Sequence, residues 1–423
     1  MAKERRDSKN RLSGKGEYQK EDGRYMYRYT DINGKPRFVY SWTLTKADRT
    51  PKGKQKGPCL RDLEVKIAQD LHEEIDTFTA KNYTVNDYFE KYLGQKKKVK
   101  ETTRVLYKNT YNLYVRDRFG HRRLSTVKYS DVVRCYNDIL EAHGISIATL
   151  ESVDCVLKPV FKMAVRDHLL KTNPADGVLA DISRDLGQNT TQRRAMTIAE
   201  QNAFLQFVDE SKVYSKWKNM FTVMLGTGCR IGEICGLTWD DCDFTNNIIH
   251  IRRTLCYSAD EETGKYRLII QTPKSKAGER SIPMFNDVRD VLLKEKVRQM
   301  KFGFCVDIID DVSGFVFCNK NNRAVVPTNV NSALKHLVNK YNKVETESAE
   351  REKRKPNLLP NISPHILRHT FCTRLCEMGV NVKVVQEVMG HSKISMTLDI
   401  YDSVTSEFMA ESFRNVEGKI KIV

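Results

Sequence analysis

The chain contains no C-x-x-C pair, no P-loop, and no apolar run near the ~20 residues that span a bilayer. Its eleven cysteines are an odd number and lie scattered, which supports neither a disulfide framework nor a zinc site. Most are expected as buried free thiols in a reducing compartment. The opening residues, Met1 to Lys9, lack the apolar core of a signal peptide, so a cytoplasmic location is expected. With no metal-ligand cluster and no phosphate-cradling loop, neither a metal nor a nucleotide cofactor is expected. An acidic excess is missing too: 71 Lys+Arg stand against 54 Asp+Glu, a net charge of +17 in 423 residues. That is the electrostatic footprint of a polyanion binder, in a chain long enough for about three domains.

The positive charge is clustered. Between Lys91 and Lys128 there are twelve Lys+Arg and two acids, a net of +10 in 38 residues, interleaved with Tyr107, Tyr111 and Tyr114. Lys96, Lys97, Lys98, Lys100 and Arg104 open this stripe and are candidate contacts to nucleic-acid phosphates. A membrane surface is the weaker partner, because no strongly apolar face with Trp or Phe anchors opposes the stripe.

Along the chain, residues 1 to about 20 read as a polar, mobile lead. Arg24–Thr30 and Arg37–Leu44 alternate with period two, and Asn33-Gly34 between them is a hairpin signal. Tyr25, Tyr27 and Tyr29 share one face of the first strand, and Phe38, Tyr40 and Trp42 share one face of the second. These aromatics read as core, with Arg24, Arg28 and Arg37 on the opposite, basic face. An amphipathic helix from Cys59 to Ile75 backs the sheet with Leu60, Leu63, Ile67 and Leu71. From Tyr83 to Asp181 the pattern is helical, with Val85, Tyr88, Phe89 and Tyr92 on the first stripe. Ile182–Met196 reads as a linker. Beyond it come helices at 197–210 and 215–225 and strands at Ile248–Arg252 and Tyr266–Thr272. Thr272–Pro283 reads as a hairpin tip, Arg323–Lys340 as a strand and helix, and Glu345–Lys355 as a charged loop. Ser406–Val416 is a further amphipathic helix.

Two stretches carry chemistry. In Ser363-Pro364-His365-Ile-Leu-Arg368, Ser363 is a good N-cap and Pro364 suits the first helical position. His365 and Arg368, at i and i+3, share a face near the positive end of that helix, which suits a phosphate. Gly390-His391 follows a second helix, and Tyr401 lies ten residues beyond. Upstream, an apolar helix breaks at Gly226 and Gly228, Arg230 sits at the break, and Ile231, Ile234 and Leu237 restart a helical stripe. Taken singly, an H-x-x-R pair is usually a solvated face and a Gly-His pair a helix cap. Together, G-x-R-x-G-E-x-x-x-L, H-x-x-R, G-H and Tyr, in this order and spacing, resemble the tyrosine recombinase (phage integrase) family across the C-terminal half. The first domain, with D-G-R-Y-x-Y and F-V-Y-S-W, resembles the arm-type DNA-binding domain of conjugative-transposon integrases.

The resemblance implies a multidomain fold. It has a small N-terminal β-sheet plus helix (three strands, residues 1–78, arm-binding), an all-α core-binding domain (83–181), a linker (182–196), and a mostly helical α+β catalytic domain with a C-terminal tail (197–423). It implies a site-specific recombinase that integrates and excises a mobile element through a 3′-phosphotyrosyl intermediate. Tyr401 would be the nucleophile, Arg230 and Arg368 the phosphate clamps, His365 the proton acceptor and His391 a phosphate or pocket ligand. Lys274 would protonate the leaving oxygen, with Lys276 a rival, and Glu233 would support the Arg230 turn. Double-stranded DNA at attachment sites and arm repeats, a homotetramer on DNA, an excisionase and a host DNA-bending protein are the implied partners. A housekeeping dimer-resolving recombinase, a topoisomerase IB-like enzyme and a non-catalytic DNA-binding regulator remain the alternatives.

Overall fold

The computed structural model describes residues 5–96, 99–187, 194–260, 263–273 and 276–401; the side chains of Thr77, Lys276 and Tyr401 fall outside the description. The Ser406–Val416 segment, Lys97, Lys98 and Lys274 lie outside the described residues as well. The chain divides into two compact units, residues 1–190 and 191–423. Among the described residues no helix is long and apolar enough to cross a membrane.

The first unit opens with a three-stranded antiparallel sheet, β1 (Glu17–Gln19), β2 (Tyr25–Thr30) and β3 (Pro36–Ser41), backed by α1 (Leu60–His72). The polar lead is more ordered than its composition suggests. Arg11 pairs with Asp7 at 2.8 Å and with Asp48 at 2.9 Å, and Tyr25 Oη donates to Asp7. Ion pairs, rather than apolar burial, fold this segment, and so hydropathy misses it.

Register corrects the faces of the hairpin. Tyr27 stands opposite Val39 and Tyr29 opposite Arg37, whereas Arg28 stands opposite Phe38 and Met26 opposite Tyr40. Directly paired residues share a face, so Phe38 and Tyr40 lie with Arg28, away from the tyrosines of β2. Both are exposed. Arg37 instead lies on the tyrosine face, bound to Asp31 at 2.8 Å and stacked on Phe78. Period two fixes which side chains share a face of one strand; only pairing fixes how two strands' faces match.

The rest of the unit is helical: α2 (Thr77–Asn82), α3 (Val85–Gln95), α4 (Glu101–Tyr114), α5 (Tyr129–His143), α6 (Ile147–Arg166) and α7 (Val178–Asp185). Thr84 and Asp87 form a capping box that starts α3. Val85, Tyr88, Phe89, Tyr111, Tyr136 and Phe161 are fully buried in one core, each contributing about 1.5–3 kcal/mol of apolar burial. Helix α7 carries Ile182 into that core, so ordered structure reaches into the expected linker from its N-terminal side. Met196 is buried in the second unit's core and does so from the other.

The second unit packs α8 (Ile198–Glu210), α9 (Lys218–Thr227), α10 (Ile231–Cys235), α11 (Asn286–Phe302), α12 (Pro327–Arg351) and α13 (Pro364–Glu377) around one core. A Cβ on Gly226 of α9 would come within 2.3 Å of Val288 on α11, so glycine lets these helices approach. Strands β4 (Cys242–Asp243), β5 (Ile248–Ile251) and β8 (Arg280–Pro283) form one sheet. Strands β6 (Thr254–Ala259) and β7 (Tyr266–Gln271) form a separate ribbon. Thr272–Pro283 is therefore not a hairpin tip: β7 pairs with β6, β8 pairs with β5, and the segment crosses from ribbon to sheet.

The expected strand near Arg323 is a single bridge, Cys318 to Ala324. The supposed charged loop is helix as far as Arg351, where the buried Ala349 anchors it and Arg354 pairs with Glu345. Small helices α14 (Val382–Met389) and α15 (Ser395–Tyr401) close the described chain.

Candidate active site

Helix α9 ends at Gly228, whose φ of 60° is left-handed and whose Cβ would lie 2.4 Å from Phe371. Only glycine fits that turn. The chain then restarts as α10 with Arg230 at its N-cap. Glu233 accepts from Arg230 N and from Arg230 Nη1, each at 2.9 Å. Glu233 is 3% exposed. On its other side Arg280, at the start of β8, donates to Oε2 at 2.9 Å and to Oε1 at 3.2 Å. Burial works against the Glu233 charge, but the Arg280 and Arg230 contacts outweigh it and hold the carboxyl below its ordinary range. Glu233 is thus a buried anion shared by two arginines.

Helix α13 starts at Ser363, whose side chain accepts from Ile366 N, with Pro364 in the first turn. Arg368, one turn on, is buried and donates to Gly228 O at 2.7 Å and to Met389 O. Three consecutive carbonyls at the end of α14 are each held by a different arginine. Val388 O accepts from Arg280 Nε at 2.6 Å, Met389 O from Arg368, and Gly390 O from Arg230 Nη2 at 3.3 Å. The last carbonyls of a helix lack intrahelical donors and sit at its negative end, so cations stabilise them. Gly390, with φ 63°, lies against the β7–β8 crossing; its Cβ would come within 2.8 Å of Ala277 O and 3.1 Å of Arg280.

His391 leaves this turn with Nδ1 2.9 Å from Thr397 Oγ1 on α15. Burial first, then the Arg368, Arg230 and Arg280 charges, push its imidazole down to about 4, so it is neutral at pH 7. Burial first, then Arg230, lowers the Arg368 guanidinium to about 10, which still leaves it cationic at pH 7.

Arg230, His365, Arg368 and His391 line one open depression of about 520 Å³, together with Met396 and Asp399 of α15. His365 is exposed at this depression. Tyr401 is the last described residue of α15, and Lys276 lies in a short helical turn before β8. Elsewhere, Lys96 caps α3, Lys100 is the N-cap of α4 and Arg104 lies in its first turns. Sequence reasoning missed Arg280 and Thr397. Arg280 was hidden by the hairpin reading, and one threonine on a short helix gives no signal of its own.

A phage integrase family model matches residues 194–407. A model for the DNA binding domain of Tn916 integrase matches residues 1–71, and one for a phage integrase N-terminal SAM-like domain matches residues 84–140. The chain is similar to the transposase from transposon Tn916 of Enterococcus faecalis, with 35% identity over 415 residues, 98% of this chain and 97% of the relative. The transposase from transposon Tn1545 of Streptococcus pneumoniae matches at the same identity and coverage. Among solved structures it resembles the Tn1549 transposon integrase in complex with transposon right end DNA. That match has a TM-score of 0.67 and 31% identity, and covers 79% of this chain and 99% of that chain. The chain belongs to the phage integrase family. Within it, the chain is a tyrosine recombinase of the conjugative-transposon integrase type, a DNA strand-transferase. The likeness to the transposon enzymes includes the first domain, and the housekeeping alternative draws no support.

Proposed function

We propose that this recombinase exchanges strands at the ends of its mobile element with Tyr401 as nucleophile and the α13–α14 depression as the phosphate site. The observation that carries the reading is the convergence of Arg230, His365, Arg368 and His391 on one depression beside the helix that carries Tyr401. The Tyr401 oxygen attacks the phosphorus, forms a 3′-phosphotyrosyl bond and expels the 5′-oxygen. Lys274 or Lys276 supplies the proton to that oxygen, and His365 accepts the phenol proton. A 5′-hydroxyl from the partner strand then reverses the step and frees the tyrosine. Bond energy is kept in the covalent link. Arg230 and Arg368 act on the non-bridging oxygens, because phosphoryl transfer is mostly positioning and charge stabilisation. To test this, a nicked duplex carrying the element's end is incubated with the full chain, and the trapped adduct is mapped by peptide mass spectrometry. The modified peptide should contain Tyr401; an adduct elsewhere, or none on the authentic end sequence, overturns the assignment.

The substrate is double-stranded DNA, engaged by a homotetramer, with an excisionase and a host DNA-bending protein as accessory partners. The first domain contacts arm DNA through the exposed face of its sheet. That face carries Arg28, Phe38 and Tyr40. Arg24 lies over the Tyr40 and Trp42 rings, and Lys54 lies over Trp42. Arg37, bound inward, is left out of this surface. Replacing Arg24 and Arg28 with Ala should weaken arm-DNA binding and lower the slope of log affinity against log salt by about 2. An unchanged slope in a salt titration would remove both residues from the interface. Lys96, Lys97, Lys98, Lys100 and Arg104 are assigned to the crossover DNA on charge alone.

A further inference from the structure

The contact between His391 Nδ1 and Thr397 Oγ1 is buried on both sides, with Thr397 fully so. Either atom could carry the shared proton. The surroundings decide which does. The ring faces Arg230, Arg280 and Arg368, with Asp399 in the same depression. Beside three cations the ring stays neutral at pH 7, and a neutral imidazole has one donor and one acceptor nitrogen. If the depression holds a phosphate, as proposed above, its anionic oxygens can only accept. The ring proton then belongs on Nε2, and Nδ1 must accept.

We infer that the Thr397 hydroxyl donates to His391 Nδ1 and thereby fixes the histidine as an uncharged Nε2–H donor to the scissile phosphate. Thr397 is a positioning residue, and it stands one turn before Tyr401 on α15. Ile400 of the same helix packs on the cluster of Phe371, Cys372, Val385 and Met389. The helix that presents the nucleophile therefore also sets the tautomer of the phosphate ligand. A protomer whose α15 leaves this seat loses the oriented histidine together with the tyrosine, so the two halves of the site are assembled by one docking event.

The inference rests on the phosphate-site reading, and two measurements on the full chain separate them. The first is ¹⁵N spectroscopy of the histidine rings in the free protein, comparing wild type, Thr397→Val and Thr397→Ser. The His391 ring should be the Nε2–H tautomer in wild type and Thr397→Ser, and a mixture in Thr397→Val, which keeps the shape and loses the hydroxyl. The second is single-turnover cleavage of the nicked duplex. Thr397→Val should be about ten-fold slower at unchanged DNA affinity, and Thr397→Ser near wild type. In a His391→Gln background Thr397→Val should add nothing, because the glutamine amide brings its own N–H. An Nδ1–H tautomer in wild type, or wild-type cleavage by Thr397→Val, overturns the inference. Wild type that cleaves no authentic substrate would instead fail the phosphate reading, while the ring tautomer still decides the role of Thr397.

Discussion

Arg368→Lys should slow strand cleavage by roughly 10²–10³-fold, the scale of losing one preorganised donor to a developing charge, while DNA affinity changes little. Arg368 is buried, and two of its N–H groups are committed to Gly228 O and Met389 O. A guanidinium has five donors in a rigid fork, so three remain for phosphate oxygens. An ammonium has three donors on one atom and cannot hold both carbonyls and a planar pair of oxygens together. Protonation adds to the loss. Burial, then Arg230, brings even the guanidinium down to about 10. A lysine starts near 10.4 and would be lowered in the same surroundings, so part of it turns neutral near neutral pH. The residual rate of the variant should therefore rise as pH falls, the reverse of what a lost general base would give. Single-turnover cleavage across pH, with anisotropy for affinity, reads both effects. A rate within about three-fold of wild type would show that charge at this position suffices without the fork.

Much of this site was legible because local rules and chemistry coincide in it. Ser363-Pro364 announces a helix start, and the start places His365 and Arg368 on one face whatever the rest of the chain does. Gly228 and Gly390 mark two left-handed helix ends, and each of those turns abuts the site. Arg280 was not legible. Its partners, Glu233 and Val388, lie 47 and 108 residues away, and no periodicity reports a pairing of that range. The exposed Phe38 and Tyr40 were misread for a related reason. Alternation grouped them correctly with each other, but the register against Arg28 and Met26, a tertiary fact, decides that they face outward. In α12 the charged run Glu345–Arg351 outweighed one buried contact, Ala349, in the composition. The glutamates and Arg351 of that run are good helix formers and carry the helix on.

Glu233→Ala should destabilise the second unit by about 3–5 kcal/mol, because it strands a buried cation rather than merely deleting a contact. Arg280 has 6% of its side chain exposed, and Glu233 accepts two of its donors. Arg230, more than a third exposed, would recover water and contribute less. The pH dependence has a definite sign. The folded carboxyl is held below its ordinary value, with burial opposing and the arginine contacts prevailing. A depressed carboxyl stabilises the fold above its unfolded value near 4.3, and that stability is lost as pH falls through the folded value. The gap in denaturation midpoint between wild type and Glu233→Ala should thus be widest near neutral pH and narrow below about 4. Glu233→Gln should fall between them, since the amide oxygen still accepts hydrogen bonds but returns no charge to Arg280. Urea titrations at several pH values, followed by the fluorescence of Trp217 and Trp239, measure the gap. A gap that is absent, or constant across that range, would mean that Arg280 finds another anion once Glu233 is gone. The three carbonyls at the end of α14 would then be held without the carboxylate, and Glu233 would owe its burial to the α10 capping box alone.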